Sequence, residues 1–327
     1  MEKDIKKSKK LNILGQLMLL SATIVWGSSF VILKQTMESV PAFYIIAVRF
    51  LSASLILAVA FFKKLRKIDR KTFFRGVIIG VVVALAYMTQ TIGLMFTTPA
   101  RNAFLTSCYC IMCPFLIWII YKIKPEIINV VAAVICMVGI GLVALSGSND
   151  EGGNYLLGDG LTLVCAVFYS LQIVFIDDFQ KKGADSINLL IPELLTVGVI
   201  FAISSLVFEL PNGGIAIYAL DLNQILKIGY LTLACTLFAQ AMQILGQKFT
   251  NPAQSSIILT LEAVFGVIFS VILGDEKLSV GLVIGFVVIF IAMLLTELKP
   301  DLRKMFKVKN SSIEKDKEQT TRNNEEN

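Results

Sequence analysis

Residues 96–100 read FTTPA and residues 249–253 read FTNPA, and this repeated stretch determines how the rest of the chain is interpreted. The flanks repeat as well, as GLMFTTPARNAFLTS (93–107) and GQKFTNPAQSSIILT (246–260). A proline can begin a helix because the first helical N–H groups have no partner within the helix. Each copy therefore predicts the turn of a tight helical hairpin. That turn chemistry explains Pro99 and Pro252 without any contact to a solute.

The chain around these turns is unusually apolar. Of its 327 residues 56% are hydrophobic and 17% are charged, whereas soluble globular proteins average about 45–50% and 25%. Nearly charge-free runs recur from residue 11 to 298, each long enough to cross a hydrocarbon core about 30 Å thick. The runs are apolar on all sides, which favours helices over a barrel of alternating strands. We predict an all-α integral membrane protein with ten transmembrane helices, at 11–33, 42–62, 73–95, 101–121, 126–146, 157–177, 187–208, 224–247, 253–273 and 279–298.

Two alignments divide these spans into two units of five. Placing FTTPA on FTNPA pairs span four with span nine at an offset of 153 residues. Placing LGQLMLLSATIVWGSSF (14–30) on LGDGLTLVCAVFYSLQI (157–173) pairs span one with span six at an offset of 143. The difference fits an insertion in the loop 211–224, since surface loops tolerate insertions. We expect a basic N-terminal segment (1–10), a first unit (11–146), a linker (147–156), a second unit (157–298) and a polar tail (299–327).

Five is an odd number, so the second unit enters the membrane from the opposite side. Inverted repeats of this kind are typical of secondary transporters. Twenty-five of the 30 Lys and Arg residues then fall in the N-terminal segment, the tail and the loops of one side. Four fall in the loops of the other side, Lys34 and Arg101 among them, and Arg49 lies within a span. This asymmetry predicts a multi-pass plasma-membrane protein with both termini in the cytoplasm. A cleaved signal peptide is the alternative for the first span, which is longer than such peptides and lacks an A-x-A site.

Several classes of chemistry are excluded by what the sequence lacks. It has no histidine, which removes Ser-His triads, H-E-x-x-H zinc sites and histidine proton relays. It also lacks phosphate-binding loops and nucleophile elbows. All six cysteines lie within spans and are interpreted as packing residues, with a soft-metal site at Cys110 and Cys113 as the alternative. We therefore expect no enzyme, no cofactor and no metal. The expected partners are a small-molecule solute and the lipid bilayer, with no nucleic acid; a homo-oligomer is left open.

Ionisable residues inside the spans are few. Arg49 and Glu193 lie almost opposite each other when spans two and seven are aligned. They are candidates for a translocation path or a gating ion pair, and the alternative is that they reach the membrane interface from helix ends. Glu262 lies near the middle of span nine, where a charge is costly and usually faces a cavity or a partner. Its carboxyl can bind a cationic group or exchange a proton.

Polar and aromatic residues on the spans complete the candidate site. Asn102, Thr106 and Tyr109 share a face of span four, and Tyr109 aligns with Glu262 in the other half. Such a stripe indicates a cavity wall, or hydrogen bonds between helices as the alternative. Trp26 and Tyr169 occupy matched places on spans one and six. The candidates for the cavity wall are Trp26, Gln90, Asn102, Thr106, Tyr109, Tyr169, Gln172, Gln240, Gln243 and Glu262.

The chain resembles the EamA-like transporter family of the drug/metabolite transporter superfamily over about residues 11–298. The resemblance rests on VWGSSF, VRFLSASLIL, TTPARNAFLTSCYCIMCPF, GDGLTLVCAVFYSLQIV, LEAVFGVIFSVILGDEKLS and the span endings GIGLVALSG and FIAMLLTEL. It implies two inverted five-helix repeats around a central cavity walled mainly by spans one, three, four, six, eight and nine. It also implies secondary transport of small metabolites. Ala263 stands where a proline often follows the glutamate of span nine, so a local kink is in question there.

The inverted repeat favours secondary transport by alternating access, and Glu262 is the candidate for proton coupling. The family resemblance implies export of amino acids or related compounds. Two alternatives stay open at this point. One is an uptake permease for a sugar or nucleoside. The other, from a different class, is a membrane scaffold or sensor that transports nothing, and it leaves the inverted duplication unexplained.

Overall fold

The computed structural model describes residues 2–146, 155–212, 220–250, 252–273 and 277–298, and the regular structure in those residues is helical. The α-helices are α1 (Glu2–Met37), α2 (Ala42–Ala60), α3 (Phe62–Leu65), α4 (Arg70–Phe96), α5 (Pro99–Thr106), α6 (Tyr109–Tyr121), α7 (Ile127–Ser146), α8 (Tyr155–Lys181), α9 (Ser186–Ser204), α10 (Leu222–Tyr230), α11 (Ala239–Phe249), α12 (Pro252–Leu273) and α13 (Val280–Leu298). The predicted tail and almost all of the predicted linker lie outside the described residues.

Among the described residues, seven helical stretches are long and apolar enough to cross a membrane: Lys10–Met37, Ala42–Ala60, Arg70–Phe96, Pro99–Tyr121, Tyr155–Lys181, Ser186–Glu209 and Leu222–Phe249. Three shorter apolar stretches, Ile127–Val143, Ile258–Leu273 and Val280–Ala292, lie at the three remaining predicted spans. The prediction of an all-helical chain with several membrane-spanning helices is thereby confirmed for the described residues.

Individual elements differ from the predicted spans in length and continuity. Helix α1 begins at Glu2, well before the predicted span at residue 11. Span four is divided into α5 and α6, because the Cys108 N–H bonds to the Leu105 carbonyl at 3.2 Å. This i→i−3 pattern tightens the backbone into a turn. Spans seven and eight contain π-helical segments at Ser205–Glu209 and Leu231–Phe238, where the backbone bonds widen to i→i−5.

Short polar residues begin several of these helices by accepting hydrogen bonds from otherwise unpaired N–H groups. Asp69 accepts from the Thr72 N–H at the start of α4. Thr98 accepts from the Arg101 N–H at the start of α5, and Pro99 is the first residue of that helix. Helix α12 likewise begins at Pro252, while Asn251 lies outside the described residues. The repeated stretch therefore marks the turn of a helical hairpin in both copies.

Pairs of glycines let neighbouring helices approach closely, and two crossings show this in the same way. A Cβ atom built on Gly15 of α1 would lie 2.9 Å from the Gly246 carbonyl oxygen of α11, and the reverse distance is also 2.9 Å. A Cβ atom built on Gly93 of α4 would lie 2.9 Å from the Gly158 carbonyl oxygen of α8, and the reverse distance is 2.8 Å. Small residues at such crossings are the usual way for membrane helices to pack backbone against backbone.

Buried apolar side chains form two clusters. The first is built mainly on α2, α4 and α9, and the second mainly on α5, α6, α12 and α13. Trp26 of α1 and Tyr169 of α8 pack against both clusters. These two aromatic residues therefore stand between the clusters, where a cavity opens.

Candidate functional site

A cavity lies between the two apolar clusters, and seven helices contribute to its wall. Its lining residues are Trp26, Ser29, Phe30 and Leu33 on α1, Arg49 on α2, Tyr87, Gln90 and Leu94 on α4, Tyr109 on α6, Tyr169, Gln172 and Ile173 on α8, Gln240 and Gln243 on α11, and Leu259 and Glu262 on α12. It encloses about 590 Å³ of empty space including its mouth, of which about 40 Å³ can hold the centre of a water-sized molecule. At roughly 10–15 Å³ for each water, the cavity is narrow in this conformation.

Eight of the ten predicted wall residues line this cavity: Trp26, Gln90, Tyr109, Tyr169, Gln172, Gln240, Gln243 and Glu262. The remaining two, Asn102 and Thr106, are buried behind the wall and bond to one of its members. The Gln90 side-chain amide donates to the Thr106 hydroxyl at 3.1 Å, and the Asn102 amide donates to the Gln90 backbone carbonyl at 3.3 Å. Their placement as wall residues is corrected: Asn102 and Thr106 hold Gln90 in position instead.

Arg49 lies on the cavity wall and is 1% exposed, so it does not reach the membrane interface. Its Nε–H donates to the Thr236 hydroxyl at 3.0 Å, where α2 packs against the π-helical segment before α11. The guanidinium carbon lies 5.9 Å from the centre of the Tyr87 ring and 6.0 Å from that of Phe50. Both aromatic rings stabilise the cation by cation–π attraction.

Glu262 lies on α12 at the same cavity and is 7% exposed. Within the described residues its carboxyl group makes neither an ion pair nor a hydrogen bond. Leu259, one turn earlier on α12, also lines the cavity. The α12 face with Leu259 and Glu262 is therefore a wall of the cavity.

Glu193 is also 1% exposed, but it lies behind the wall and does not pair with Arg49. The Gln172 amide donates to one Glu193 carboxyl oxygen at 3.0 Å, and the other oxygen has no partner within the described residues. In this conformation both side chains are buried and the two do not form an ion pair. Their role in a translocation path or in gating stays a prediction.

Aromatic side chains form one side of the cavity. The Tyr169 ring meets the Tyr87 ring edge to face at 5.9 Å and the Tyr109 ring at 6.5 Å. The Tyr169 hydroxyl donates to the Gln90 amide oxygen at 3.2 Å, which joins α8 to α4. The Trp26 indole N–H donates to the Cys235 backbone carbonyl at 2.9 Å. These bonds fix the ring orientations around the cavity.

Sequence reasoning missed Tyr87 as a wall residue. A signal for it exists, because Tyr87, Gln90 and Leu94 are spaced i, i+3, i+7 and so share one face of α4. Polarity alone singles out Gln90 but not Tyr87, which lies one turn earlier in the same apolar run. The helical spacing alone identifies both.

Sequence reasoning also missed an ion pair between Arg101 and Asp159. The charge count assigns Arg101 to a loop, yet its side chain is 1% exposed on α5 and bonds bidentately to the Asp159 carboxylate of α8. The Thr97 hydroxyl donates to the same carboxylate at 2.8 Å, and the Arg101 guanidinium lies 4.9 Å from the Tyr155 ring centre. Arg101 is buried because Asp159 neutralises it across the helix interface.

Cysteines do not form a metal site in the part of the chain that the structure describes. No group of three or more His, Cys, Asp and Glu side chains comes together there. The sulfur atoms of Cys108 and Cys136 lie 3.7 Å apart, and all six cysteines are buried. The cysteines pack within the helices, as free Cys residues commonly do.

The fold and the cavity define a polytopic helical membrane protein of the transporter class. The chain belongs to the EamA-like transporter family, whose family model matches residues 13–145 and residues 156–298. An uncharacterized transporter of Archaeoglobus fulgidus is 28% identical over 281 residues, which cover 84% of this chain and 83% of that protein. A solved crystal structure shares the fold with a TM-score of 0.63 at 15% identity, over 88% of this chain and 98% of that one. The chain is thus a membrane transporter of small solutes, with no enzymatic role indicated.

Proposed function

We propose that this protein is a ten-helix secondary transporter that exports amino acids or related compounds by alternating access. Its two inverted units, residues 11–146 and 157–298, exchange conformations around the cavity. Both termini lie in the cytoplasm, and the protein resides in the plasma membrane. The energy comes from a solute or ion gradient, because the sequence holds no motif for binding nucleotide phosphates.

One observation carries this proposal: the cavity wall is built from residues at equivalent positions of the two units. The offset of 143 relates Trp26 to Tyr169, Ser29 to Gln172 and Phe30 to Ile173; the offset of 153 relates Tyr87 to Gln240, Gln90 to Gln243 and Tyr109 to Glu262. Twelve of the sixteen lining residues therefore belong to such pairs. A solute site at the interface between repeats is the arrangement that inverted-repeat transporters use.

The helix contacts support the same relation between the units. Gly15 is related to Gly158 by the offset of 143, and Gly93 is related to Gly246 by the offset of 153. The close approach of Gly15 to Gly246 is thus the counterpart of the approach of Gly158 to Gly93. The same crossing is used twice, once in each unit's first helix, which is expected when two similar units pack about a two-fold axis.

Glu262 is the residue through which we propose that the proton gradient acts. Its carboxyl group faces the cavity without an ion pair or hydrogen bond within the described residues. A carboxyl in that setting can take up a proton or a solute cation, and intramembrane carboxyls commonly serve as proton relays in transporters.

Counterflow in proteoliposomes tests this function. Vesicles with the purified protein are loaded with single amino acids, sugars or nucleosides, and uptake of the labelled solute is followed with and without a pH gradient. We expect exchange of one class, amino acids, and acceleration by the gradient. Exchange of sugars or nucleosides alone would indicate the permease alternative, and absence of exchange for the whole panel with folded protein would contradict transport of these solutes.

The variant Glu262→Gln separates the coupling from the transport itself. We expect the exchange that this variant still carries out to be independent of pH and to gain no acceleration from the pH gradient. Transport at the wild-type rate with unchanged response to the gradient would show that Glu262 takes no part in coupling.

A further inference from the structure

The cavity is lined by an arginine and by a carboxyl group that do not pair with each other. Arg49 of α2 and Glu262 of α12 both line it, yet they form no ion pair, since no Arg49 nitrogen lies within 4.0 Å of a Glu262 oxygen. Arg101 and Asp159, by contrast, are buried to a similar degree and are paired directly. A buried charge is strongly unfavourable unless it is paired and hydrogen-bonded. Within the described residues, the cavity therefore offers neither a carboxylate that pairs with Arg49 nor a cation that pairs with Glu262.

Arg49 has N–H donors that no carboxylate of the described residues binds. Its guanidinium carries five N–H donors and stays charged in proteins. The Nε–H is used by Thr236, and within the described residues no carboxylate pairs with the other donors. The neighbouring rings of Tyr87 and Phe50 supply attraction to the cation but no acceptor. The planar fork of an arginine is the geometry that binds a carboxylate bidentately.

Within the described residues, the Glu262 carboxyl group lacks a cationic partner. Its carboxyl group makes no bond within the described residues, and it shares the cavity with five aromatic side chains: Trp26, Phe30, Tyr87, Tyr109 and Tyr169. An ammonium group is stabilised both by a carboxylate and by the faces of aromatic rings. This side of the cavity is therefore suited to a compact cation.

We propose that Arg49 and Glu262 are the two poles of a zwitterion-binding site, Arg49 for the carboxylate of the solute and Glu262 for its ammonium group. This inference rests on the proposed transport function and specifies how its solute is recognised. A free α-amino acid carries both groups, so both must be unmodified. Amides and esters lack the carboxylate, and N-acylated derivatives lack the ammonium group.

Charge balance distinguishes a zwitterion from the other solutes. A simple cation would be repelled by Arg49, and a simple anion would be repelled by Glu262. A neutral sugar would leave both protein charges uncompensated after water is displaced. A zwitterion in the matching orientation satisfies both charges at once, and such like-charge repulsion of the wrong solute is a common source of specificity.

The rest of the wall favours a neutral side chain on that amino acid. The remaining polar lining groups are uncharged hydroxyls and amides, including Gln240 and Gln243. The Gln243 amide oxygen is buried without a partner within the described residues, so it can accept a hydrogen bond from a solute. A third charge on the solute would find no counter-charge on this wall. We expect neutral amino acids to be preferred over acidic or basic ones.

The test is competition by matched solutes against counterflow in proteoliposomes. Leucine, phenylalanine and threonine are compared first, and the one that exchanges fastest is labelled. It then competes with its decarboxylated amine and with its deaminated acid, which for leucine are isopentylamine and isocaproate. For the wild-type protein we expect each truncated analogue to compete roughly tenfold more weakly or worse, since each loses a hydrogen bond to a charged group.

Two variants test which residue binds the carboxylate of the solute and which binds its ammonium group. Arg49→Gln should reduce the preference for the amino acid over its amine and leave the preference over its acid intact. Glu262→Gln should do the opposite. Arg101→Gln is the control, because it removes a buried arginine that is not on the cavity wall. We expect Arg101→Gln to lower the amount of folded protein without changing the preference over the amine or the preference over the acid. A purely structural role for Arg49 or Glu262 would behave like this control.

The outcomes separate this inference from the function on which it rests. Exchange of amino acids with unchanged preferences in both variants would overturn the two-pole site and leave transport standing. Exchange of sugars or nucleosides but no amino acid would also overturn the site. Absence of exchange for every solute, with folded wild-type protein, would contradict the proposed function itself.

Discussion

At the scale of single residues, the ion pair between Arg101 and Asp159 leads to a direct prediction about stability. Replacing Asp159 by Asn leaves a buried guanidinium without its counter-charge, because Arg101 is only 1% exposed. We expect Asp159→Asn to lower the free energy of unfolding by about 3–5 kcal/mol. Unfolding of the purified protein in detergent, followed by circular dichroism against denaturant, measures the change.

The matched control for that measurement is the exposed pair of Asp177 and Lys181 at the end of α8. The Lys181 side chain is 67% exposed and the Asp177 side chain is 32% exposed, and such pairs contribute at most about 1 kcal/mol. Asp177→Asn should therefore leave stability nearly unchanged. Equal losses in the two variants would show that burial does not strengthen the Arg101–Asp159 pair.

The sequence alone identifies Arg49, Glu193 and Glu262 because each charge interrupts an apolar run. It does not identify the Arg101–Asp159 pair, because both residues stand within a few positions of a helix start, where charges are common. Their contact joins α5 to α8 across 58 positions, and helical spacing does not reveal which helix a face will meet. Asn102 and Thr106 were placed on the wall for the same reason, since a polar stripe fits a cavity and a helix interface equally well.

At the scale of elements, the glycine crossings predict a difference between glycines of the same helix. A Cβ atom on Gly158 would lie 2.8 Å from the Gly93 carbonyl oxygen, whereas one on Gly160 meets nothing within 4 Å. We expect Gly158→Ala to destabilise the protein by about 1–3 kcal/mol through displacement of α4 from α8. Gly160→Ala should be neutral or slightly stabilising, because alanine favours helix.

Gly15→Ala repeats this test at the equivalent crossing of α1 with α11, where the carbonyl of Gly246 lies 2.9 Å from the added atom. Thermal unfolding of the three variants beside the wild type measures the effect. If Gly160→Ala were as destabilising as the other two, the close approach of the helix backbones would not be the cause.

The start of α9 predicts how stability depends on pH. Asp185 accepts hydrogen bonds from the N–H groups of Ile187 and Asn188 and pairs with Lys64 at 3.1 Å. Partial burial acts to raise the pKa of Asp185, but the Lys64 hydrogen bond and these amides outweigh it and hold the pKa below its ordinary value of 3.8. The folded protein then binds fewer protons than the unfolded chain. This stabilisation is present above pH 3.8 and is lost as the pH falls through the lowered pKa.

We therefore expect Asp185→Ala to lose about 1 kcal/mol of stability near neutral pH, since it removes a helix cap. The difference from the wild type should shrink as the pH falls below 3.8. Asp185→Asn is the control, because asparagine also caps helices but does not titrate. Denaturant unfolding at several pH values measures the three proteins, and a difference between Asp185→Ala and wild type that does not change with pH would contradict the role of the charge.

The positions of the elements follow from the sequence more closely than their continuity does. Long apolar runs predict the long helices but not the four-residue α3. Asp69, Thr98 and Asp185 mark helix starts by their chemistry. The break between α5 and α6 and the π-helical turns at Ser205–Glu209 and Leu231–Phe238 were not predicted. These features change the backbone hydrogen-bonding pattern without changing the apolar composition, so a hydropathy pattern does not indicate them.

At the scale of the whole molecule, the cavity wall connects the duplicated sequence to the proposed transport cycle. Six pairs of equivalent residues face the same cavity, although no two members of a pair are closer than 143 positions in the chain. The repeated FTTPA and FTNPA stretches supply the alignment from which these pairs follow. The sequence does not reveal how far the cavity is open, because that depends on which side the two units have closed.

Accessibility of the cavity from each side of the membrane tests alternating access most directly. Ser29, on the wall, is replaced by Cys in a protein whose six native cysteines are removed, and a charged thiol reagent is applied to either face of sealed vesicles. The control is Ser107→Cys, which is buried away from the wall. We predict that Ser29→Cys reacts from both faces, that the exchanged solute slows both reactions, and that Ser107→Cys reacts from neither. Reaction of Ser29→Cys from one face only, at any solute concentration, would contradict alternating access.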